Sequence, residues 1–284
     1  MANNFDLHSH STVSDGLLSP AELVAWAVRR GIDALALTDH DDVAGLDEAG
    51  RAAAAAGIRF VPGVEISVSW MTHTVHIVGL CIDPTAPALV GGLAGIRAGR
   101  LERAVRMAES LARSGIGGTL DAAVALAKNP NIVGRTHFAR HLVQRGCAKD
   151  VKSVFKKYLV KGKPGYTPHA WAGLADAVGW VRAAGGQAVL AHPGRYDMGP
   201  NVMARLLENF RAAGGVGIEV VTGNHSHDQM RTFARRAGEF GLLASRGSDY
   251  HGPGESWVDP AGLAQLPADC IPIWRDWPAE PATH

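Results

Sequence analysis

The chain has 284 residues, of which 46% are hydrophobic and 19% are charged, so it can bury a substantial core and is not a wholly disordered protein. Three cysteines, Cys81, Cys147 and Cys270, form no CxxC pair, which argues against a disulfide framework or thiolate zinc site and favours a reducing cytoplasm. The N-terminus does not read as a signal peptide, and no apolar run approaches the roughly 18 residues of a membrane-spanning helix.

The net charge of +1 hides an asymmetry along the chain. Residues 97–161 carry 14 Lys and Arg against 4 Asp and Glu, whereas the remainder carries 14 against 23. One interpretation is an Arg-rich, solvated helix surface. The other is an acidic body that binds cations beside a basic segment that binds an anion.

The first eighty residues alternate between short apolar strands and helices. Ser19-Pro20 followed by Glu22 is typical of a helix N-terminus, and Gly57 follows the end of a second helix. The elements predicted here are strand 5–7, helix 19–31, strand 34–37, helix 46–56 and strands 58–61, 64–68 and 74–80. Alternation of this kind favours parallel β/α units.

The pattern changes between residues 84 and 165, where no convincing strand is found. The helices predicted in this basic segment are 97–113, 120–128, 136–145 and 149–159. The alternation then returns, with helices predicted at 174–184, 203–213 and 229–240 and strands at 187–191, 216–221 and 242–245. An irregular surface strap is predicted after Pro260.

About seven β/α units interrupted once predict an α/β barrel with a helical cap. The barrel would comprise residues 1–84 and 166–284. The basic helical insertion, residues 85–165, would form the cap domain.

Side chains that can bind metal follow or lie on nearly every predicted strand. They are His8, His10, Asp15, His40, Glu65, His76, His192, Asp249 and His251. Barrel enzymes build their active sites at the C-terminal ends of the strands, so we expect these residues to converge. Residues at i and i+2 of an extended strand point to the same side, so His8 and His10 can bind one ion, as can Asp249 and His251.

Imidazoles and carboxylates without thiolates suit Zn, Mn or Fe. They do not suit a structural zinc site built from cysteines. At three or four ligands per ion, nine ligands predict two or three ions with a bridging carboxylate. Taken singly, some have simpler interpretations, since His76 could be a core histidine and Asp15 a turn residue. The combination of the whole set favours the metal site.

In this order, the motifs resemble those of the PHP (polymerase and histidinol phosphatase) family. The matching segments are His8-Ser9-His10 with Asp15-Gly16, Thr38-Asp39-His40, Gly63-Val64-Glu65, Val75-His76-Ile77, Ala191-His192-Pro193 and Ser248-Asp249-Tyr250-His251. The resemblance implies a distorted (β/α)7 barrel with a trinuclear metal site. It implies that all nine residues are ligands, that Glu65 bridges two ions, and that Glu65 and His192 serve catalysis.

The helical insertion and residues 134–140 resemble bacterial enzymes that remove the 3′-phosphate from nucleoside 3′,5′-bisphosphates, such as adenosine 3′,5′-bisphosphate. Relatives of these enzymes act as 5′-to-3′ exoribonucleases on short, 5′-phosphorylated RNA. The resemblance implies a metal-dependent phosphatase in which Arg135 and His137 bind substrate phosphate. Manganese is the expected metal, with Zn, Fe and Mg as alternatives.

Further substrate contacts have two interpretations each. Asn224 and His225 follow a strand end and could contact phosphate, with His225 as general acid, or they could form a polar loop that caps a helix. Trp70 and Tyr166 could stack on a base or pack in the core. Additional phosphate contacts are proposed for Lys128, Lys156, Lys157 and Lys161, although Lys156 and Lys157 also fit a solvated helix face.

Two other classes of function are compatible with parts of the pattern. A non-enzymatic, metal-stabilised scaffold is disfavoured by the complete ligand set. A C–N bond hydrolase would share barrel and metals but would have no use for a basic cap. We therefore expect a phosphorylated nucleotide or short RNA as partner, and no membrane or obligate protein partner.

Overall fold

The computed structural model describes residues 4–256, 259 and 262–278. The strands are β1 (Phe5–Asp6), β2 (Ala34–Leu37), β3 (Arg59–Trp70), β4 (His73–Leu80), β5 (Ala172–Gly173), β6 (Gln187–Leu190), β7 (Gly217–Thr222) and β8 (Leu243–Gly247). The helices are α1 (Pro20–Arg29), α2 (Leu46–Ala56), α3 (Pro87–Arg113), α4 (Thr119–Leu126), α5 (Arg135–Gln144), α6 (Val151–Val154), α7 (Leu174–Ala183), α8 (Pro200–Ala212) and α9 (His227–Phe240). A π-helical turn, Phe155–Leu159, follows α6.

The strands form one sheet in the order β1-β2-β3-β4-β6-β7-β8, with the short β5 added to the end of β3. The sheet curls until β8 meets β1, where the Leu7 amide donates to the Arg246 carbonyl (3.1 Å) and the Asp249 amide to the His8 carbonyl (2.9 Å). Residues of β2 are buried on both faces, as expected of a parallel strand covered by helices. The predicted α/β barrel is confirmed.

The barrel departs from seven β/α units at β4, which runs antiparallel to both β3 and β6. β3 and β4 form a hairpin around residues 71–72, so no helix separates them. The two strands predicted at 58–61 and 64–68 are one continuous strand. Pro62 lacks a backbone N–H but does not interrupt the strand. Its carbonyl still accepts a hydrogen bond from the Ile82 amide (3.2 Å).

Local sequence explains where α1 begins, whereas α3 begins earlier than its sequence predicts. The Ser19 hydroxyl accepts from the Glu22 amide and the Glu22 carboxylate from the Ser19 amide, which is the capping box expected at the start of α1. α3 begins at Pro87, ten residues before the predicted start. Gly92 within this extra length lies against Trp180, whose ring would be only 2.4 Å from a Cβ at this position, so glycine allows α3 to approach α7.

Apolar contacts divide α3 between two cores. Leu89, Leu93 and Ile96 pack into the core of the barrel. Farther along α3, Met107 and Leu111 pack with α4 and α5 in a separate core of the insertion. The helical insertion therefore has a core of its own, and the predicted boundary at residue 85 stays a prediction.

The described part of the C-terminal tail, residues 262–278, packs across the N-terminal ends of the strands. The Ile273 amide donates to the Ala244 carbonyl (2.9 Å), and the Trp274 ring lies 4.8 Å from the Phe5 ring. Pro260, where the predicted strap begins, lies outside the described residues. No helix in the described ranges is long and apolar enough to cross a membrane.

Candidate metal centre

The structure brings all nine predicted metal ligands into one buried cluster at the C-terminal ends of the parallel strands and the adjoining β3–β4 hairpin. Within the cluster, potential ligand atoms lie within 4.8 Å of one another in four overlapping groups. The groups are His10, Asp15, His40 and His251; His8, His10 and Asp249; His8, Glu65 and His192; and His40, Glu65 and His76. Groups of three or four donors that share members fit two or three adjacent ions.

The HxH pair has the geometry expected from its spacing, since the Nε2 atoms of His8 and His10 lie 3.1 Å apart. The Nδ1 atom of His8 lies 2.7 Å from the Glu219 carboxylate. Glu219 accepts a hydrogen bond from His8 Nδ1, which fixes the orientation of the ring and directs Nε2 into the cluster. Burial opposes protonation of His8, but Glu219, Glu65 and Asp249 raise its pKa well above the usual range, so a cation bound at Nε2 must displace a proton.

Glu65 lies at the centre and is completely buried. Its Oε1 atom is 2.7 Å from His76 Nδ1 and 2.8 Å from His192 Nε2. Its Oε2 atom is 2.8 Å from His40 Nδ1 and 3.4 Å from His8 Nε2. Because each oxygen faces a different set of imidazoles, this carboxylate has the geometry of a bridge between two ions.

Buried polar atoms without hydrogen-bond partners indicate that metal ions fit this cluster. Four buried side-chain atoms of the cluster residues have no hydrogen bond of good geometry within the described chain: Asp15 Oδ1, His40 Nδ1, Glu65 Oε2 and His192 Nδ1. Two of them, on His40 and Glu65, are nevertheless only 2.8 Å apart. Buried polar atoms normally have partners, and atoms that converge without bonding are typical of ligands to a common cation. The mixture of nitrogen and oxygen donors suits Mn, Fe or Zn.

Charges within the cluster shift the pKa values of its carboxylates. Burial alone would raise the pKa of Asp15, but the neighbouring His251 and His40 lower it well below its usual range. Burial likewise opposes ionisation of Asp249, and Arg195 and the cluster imidazoles lower its pKa well below the usual range. Both carboxylates are therefore anionic at neutral pH and ready to bind cations.

The imidazoles divide into two kinds. Burial lowers the pKa of His10 to about 3, with repulsion from His251 adding to the effect, and burial together with Arg195 lowers that of His192 to about 3. These two rings are neutral at pH 7 and carry free lone pairs. Burial opposes protonation of His251, but Asp15 and Asp249 raise its pKa to about 9, so a cation bound here must displace a proton.

Several residues outside the predicted set of nine hold the candidate ligands in place. Glu219 bonds His8 Nδ1 and also accepts from the His192 amide (2.5 Å), which joins two ligand loops. Asp39 accepts from the Ser11 amide (2.8 Å), which fixes the loop that leads to Asp15. The ligands His192 and Asp249 have positive φ angles of 26° and 56°, a strained backbone that costs about 1–3 kcal/mol each and is common at functional sites.

Close packing beneath the ligands leaves no room for a side chain at residue 247. A Cβ added to Gly247 would lie 2.3 Å from the His8 Cβ. Glycine here lets β8 approach β1 at the point where the first ligands leave the barrel.

Arginines line the pocket that opens beside the cluster. They are Arg100, Arg103, Arg135 and Arg195. Arg100 is paired with Asp41 and Arg195 with Asp249 (2.6 Å). Within the described ranges, no ion pair joins Arg103 or Arg135 to a carboxylate, and Arg103 Nε is buried without a hydrogen-bond partner.

Burial and repulsion from neighbouring arginines both lower the pKa values of the unpaired arginines. Burial, with Arg135 and Arg100 nearby, lowers the pKa of Arg103 to about 9, and burial with Arg195 nearby lowers that of Arg135. Two partly desolvated guanidinium groups without an acid partner form a site that favours an anion, and their fork geometry suits phosphate.

The other predicted substrate residues are placed less favourably. His137 Nδ1 accepts from the Gly134 main-chain amide (3.1 Å) and so caps α5, while the side-chain Nδ2 of Asn224 donates to the Asp249 carboxylate (3.0 Å). His225 Nδ1 bonds the Val220 carbonyl (3.0 Å), and its Nε2 accepts from the Gly194 amide (3.0 Å). With both ring nitrogens occupied by main-chain groups, the geometry does not support His225 as general acid or phosphate contact, and Ser226 beside it caps α9.

The positions of the lysines and of Trp70 decide between their two interpretations. Lys156, Lys157 and Lys161 are exposed on the cap surface, away from the lining of the arginine pocket, and Lys128 lines a separate cavity. Trp70 is 6% exposed and packs in the barrel core. A base-stacking role for Tyr166 stays a prediction.

Sequence reasoning missed Glu219, Arg195 and the pocket arginines on α3. A single acid in the apolar strand β7 was a signal for Glu219, because a buried carboxylate needs a partner. Arg195 follows the candidate ligand His192 by three residues, close enough to have been included among the predicted site residues. Arg100 and Arg103 gave no signal of their own within an Arg-rich helix.

Comparison with known proteins identifies the pattern. The PHP domain matches residues 6–223. The 3′,5′-nucleoside bisphosphate phosphatase of Chromobacterium violaceum is 57% identical over 96% of both chains. A 5′-3′ exoribonuclease of Haemophilus influenzae is 42% identical over 97% of this chain and 99% of its own. The solved structure of an amidohydrolase from Chromobacterium violaceum with bound sulfate and no metal has a TM-score of 0.93 and 57% identity, and covers 96% of this chain and 95% of its own.

Proposed function

The chain belongs to the PHP domain family, and on that premise we propose that it is a metal-dependent phosphatase acting on nucleoside 3′,5′-bisphosphates. It would hydrolyse the 3′-phosphate and release a nucleoside 5′-monophosphate and phosphate. One observation carries the proposal: the nine-ligand cluster and the unpaired Arg103 and Arg135 share one pocket. A substrate with two phosphates needs two such anion sites.

The proposed cofactors are two or three divalent ions, with manganese expected, held by the nine clustered ligands with Glu65 as the bridge. When bound, such ions neutralise phosphoryl oxygens and lower the pKa of water. The three free cysteines support the proposal of a reducing cytoplasm as the location. The proposed partner is a phosphorylated nucleotide or short RNA, and no obligate protein partner is proposed.

The chain's own residues would divide the substrate between them. Arg103 and Arg135 would bind the 5′-phosphate, because they are the guanidinium groups without acid partners. Arg195, whose side chain is 49% exposed beside Asp249, would contact the 3′-phosphoryl group. Binding at two anchored phosphates would orient the ribose between them, which is how positioning contributes to phosphoryl transfer.

A second function, 5′-to-3′ exoribonuclease, is favoured by a separate observation. Hydrolysis of a 3′-phosphomonoester and of the first diester in 5′-phosphorylated RNA can break the same bond, from phosphorus to the 3′-oxygen. The diester also needs room for the next nucleoside. A cavity of about 350 Å³ lies beyond the pocket wall, lined by Ser14 and Gly16 on either side of the ligand Asp15, and by His137 and Gln144 of α5.

Filling this cavity should separate the two activities. Gln144 is exposed at the end of α5, so Gln144→Trp adds bulk to the cavity without disturbing a core. We expect at least a tenfold loss of kcat/KM for a 5′-phosphorylated dinucleotide and less than a twofold change for adenosine 3′,5′-bisphosphate. Steady-state assays with both substrates measure this. Equal losses of kcat/KM would show that the cavity does not bind the next nucleoside of RNA.

A phosphate-release panel with added Mn tests the proposed function itself. It contains adenosine 3′,5′-bisphosphate, adenosine 5′-monophosphate, histidinol phosphate and a 5′-phosphorylated oligonucleotide, with amide substrates alongside. The bisphosphate should be hydrolysed fastest and the 5′-monophosphate hardly at all. If none of them released phosphate and the oligonucleotide released no nucleoside 5′-monophosphate, the enzyme would be excluded, and turnover of amides instead would favour a C–N hydrolase.

A further inference from the structure

One side chain of the insertion reaches the two loops that carry Asp15 and His251. Arg140 on α5 binds the Glu255 carboxylate with two hydrogen bonds, from Nε (2.8 Å) and from Nη2 (2.7 Å). The same Nη2 donates to the main-chain carbonyl of Asp15 (2.6 Å). The Arg140 and Glu255 side chains are only 11% and 18% exposed, so the pair is well shielded from water.

Both contacts lead directly to ligands of a single group. Asp15 is itself a ligand, and Arg140 holds the backbone of that residue. Glu255 belongs to a turn in which the Ser256 hydroxyl accepts from the His251 amide (2.8 Å). Asp15 Oδ1 and His251 Nε2 are 3.2 Å apart, and with His10 and His40 they form the four-member group of the cluster.

The other ligand groups are organised differently. His8 and His192 are tied together through Glu219, and His76 is held by the pairing of β3 and β4. These supports belong to the barrel. The group containing Asp15 and His251 instead lies on the loops that follow β1, β2 and β8. Asp39 fixes the first of these loops from within the barrel, and the insertion contacts the loops of Asp15 and His251 through Arg140.

We propose that Arg140 is a positioning residue through which the helical insertion assembles one metal subsite, the one formed by His10, Asp15, His40 and His251. The inference rests on the metal centre of the proposed function, but not on its substrate. A bidentate guanidinium–carboxylate pair fixes orientation as well as distance. Loss of such supporting contacts typically costs about 10–100-fold in metal affinity.

Metal content tests the proposal independently of activity. We expect Arg140→Gln, dialysed against limiting buffered Mn, to contain about one ion per chain fewer than the unmodified protein, or to bind its weakest ion at least tenfold less tightly. Plasma mass spectrometry gives the stoichiometry, and Mn titration followed by electron paramagnetic resonance gives the affinity. Arg140→Lys keeps the charge but loses the bidentate geometry. Its Mn affinity should therefore lie between that of Arg140→Gln and that of the unmodified protein.

The control is Arg145→Gln on the same helix, because Arg145 donates to the Gly117 carbonyl within the insertion and contacts no ligand loop. It should bind Mn as the unmodified protein does. Glu255→Gln is a second variant if Arg140→Gln does not fold, and it should weaken the same ion. Full Mn content and unchanged affinity in Arg140→Lys and Glu255→Gln would overturn the proposal, whatever the phosphate-release panel shows.

Discussion

Replacing Glu65 with Gln should lower kcat/KM for adenosine 3′,5′-bisphosphate on the order of 10³-fold or more, the scale on which electrostatic stabilisation of a transition state is lost. The two oxygens of Glu65 face separate sets of histidines, and an amide can supply only one weak oxygen ligand in their place. We therefore also expect at least one metal ion fewer per chain. Phosphate release and metal analysis on the same preparation measure both effects.

Glu219→Gln is the matched control, because Glu219 is equally buried beside the cluster but acts only by holding two candidate ligands, through His8 Nδ1 and the His192 amide. Its loss should be smaller, about 10–100-fold, as for other residues that orient a metal ligand. If Glu65→Gln retained its full metal content and more than a tenth of the activity, Glu65 would not be the bridge.

The second large effect is expected at the anion site. Arg135→Gln should raise KM for adenosine 3′,5′-bisphosphate by about 10–100-fold, equivalent to the roughly 1.5–3 kcal/mol of a hydrogen bond to a charged group. For adenosine 3′-monophosphate, which lacks the 5′-phosphate, KM should change less than threefold. The difference between the two substrates isolates recognition of the 5′-phosphate.

Arg113→Gln serves as the charge control, because Arg113 belongs to the same basic insertion but is exposed and outside the pocket. It should leave both KM values unchanged at physiological salt. Equal increases for both substrates in Arg135→Gln would place Arg135 at the scissile phosphate or in the structure of the cap, and not at the 5′-phosphate.

The barrel could be predicted because its parallel strands are short apolar runs, buried on both faces and bounded by helix signals. Strand direction could not, since nothing in the apolar pattern of 74–80 distinguishes an antiparallel neighbour from a parallel one. The early start of α3 was also hidden. Three glycines between residues 87 and 96 disfavour a helix locally, and only the contact between Gly92 and Trp180 explains one of them.

The convergence of the nine candidate ligands was predictable for a different reason. Chemistry restricts metal donors to a few residue types, and the barrel brings the ends of distant strands together, so His8 and Asp249 could be placed side by side without coordinates. Roles that depend on the orientation of a side chain could not be predicted from the sequence. His225 lies in a polar loop beside the site, yet its ring turns inward to the main chain.

Anomalous diffraction from crystals of the protein grown with Mn tests the central claim most directly. We expect two or three anomalous peaks within the cluster, with one on each side of the Glu65 carboxylate and one beside Asp15 and His251. Peaks only at the protein surface, with the nine side chains bonded to one another as a closed polar network, would contradict the account.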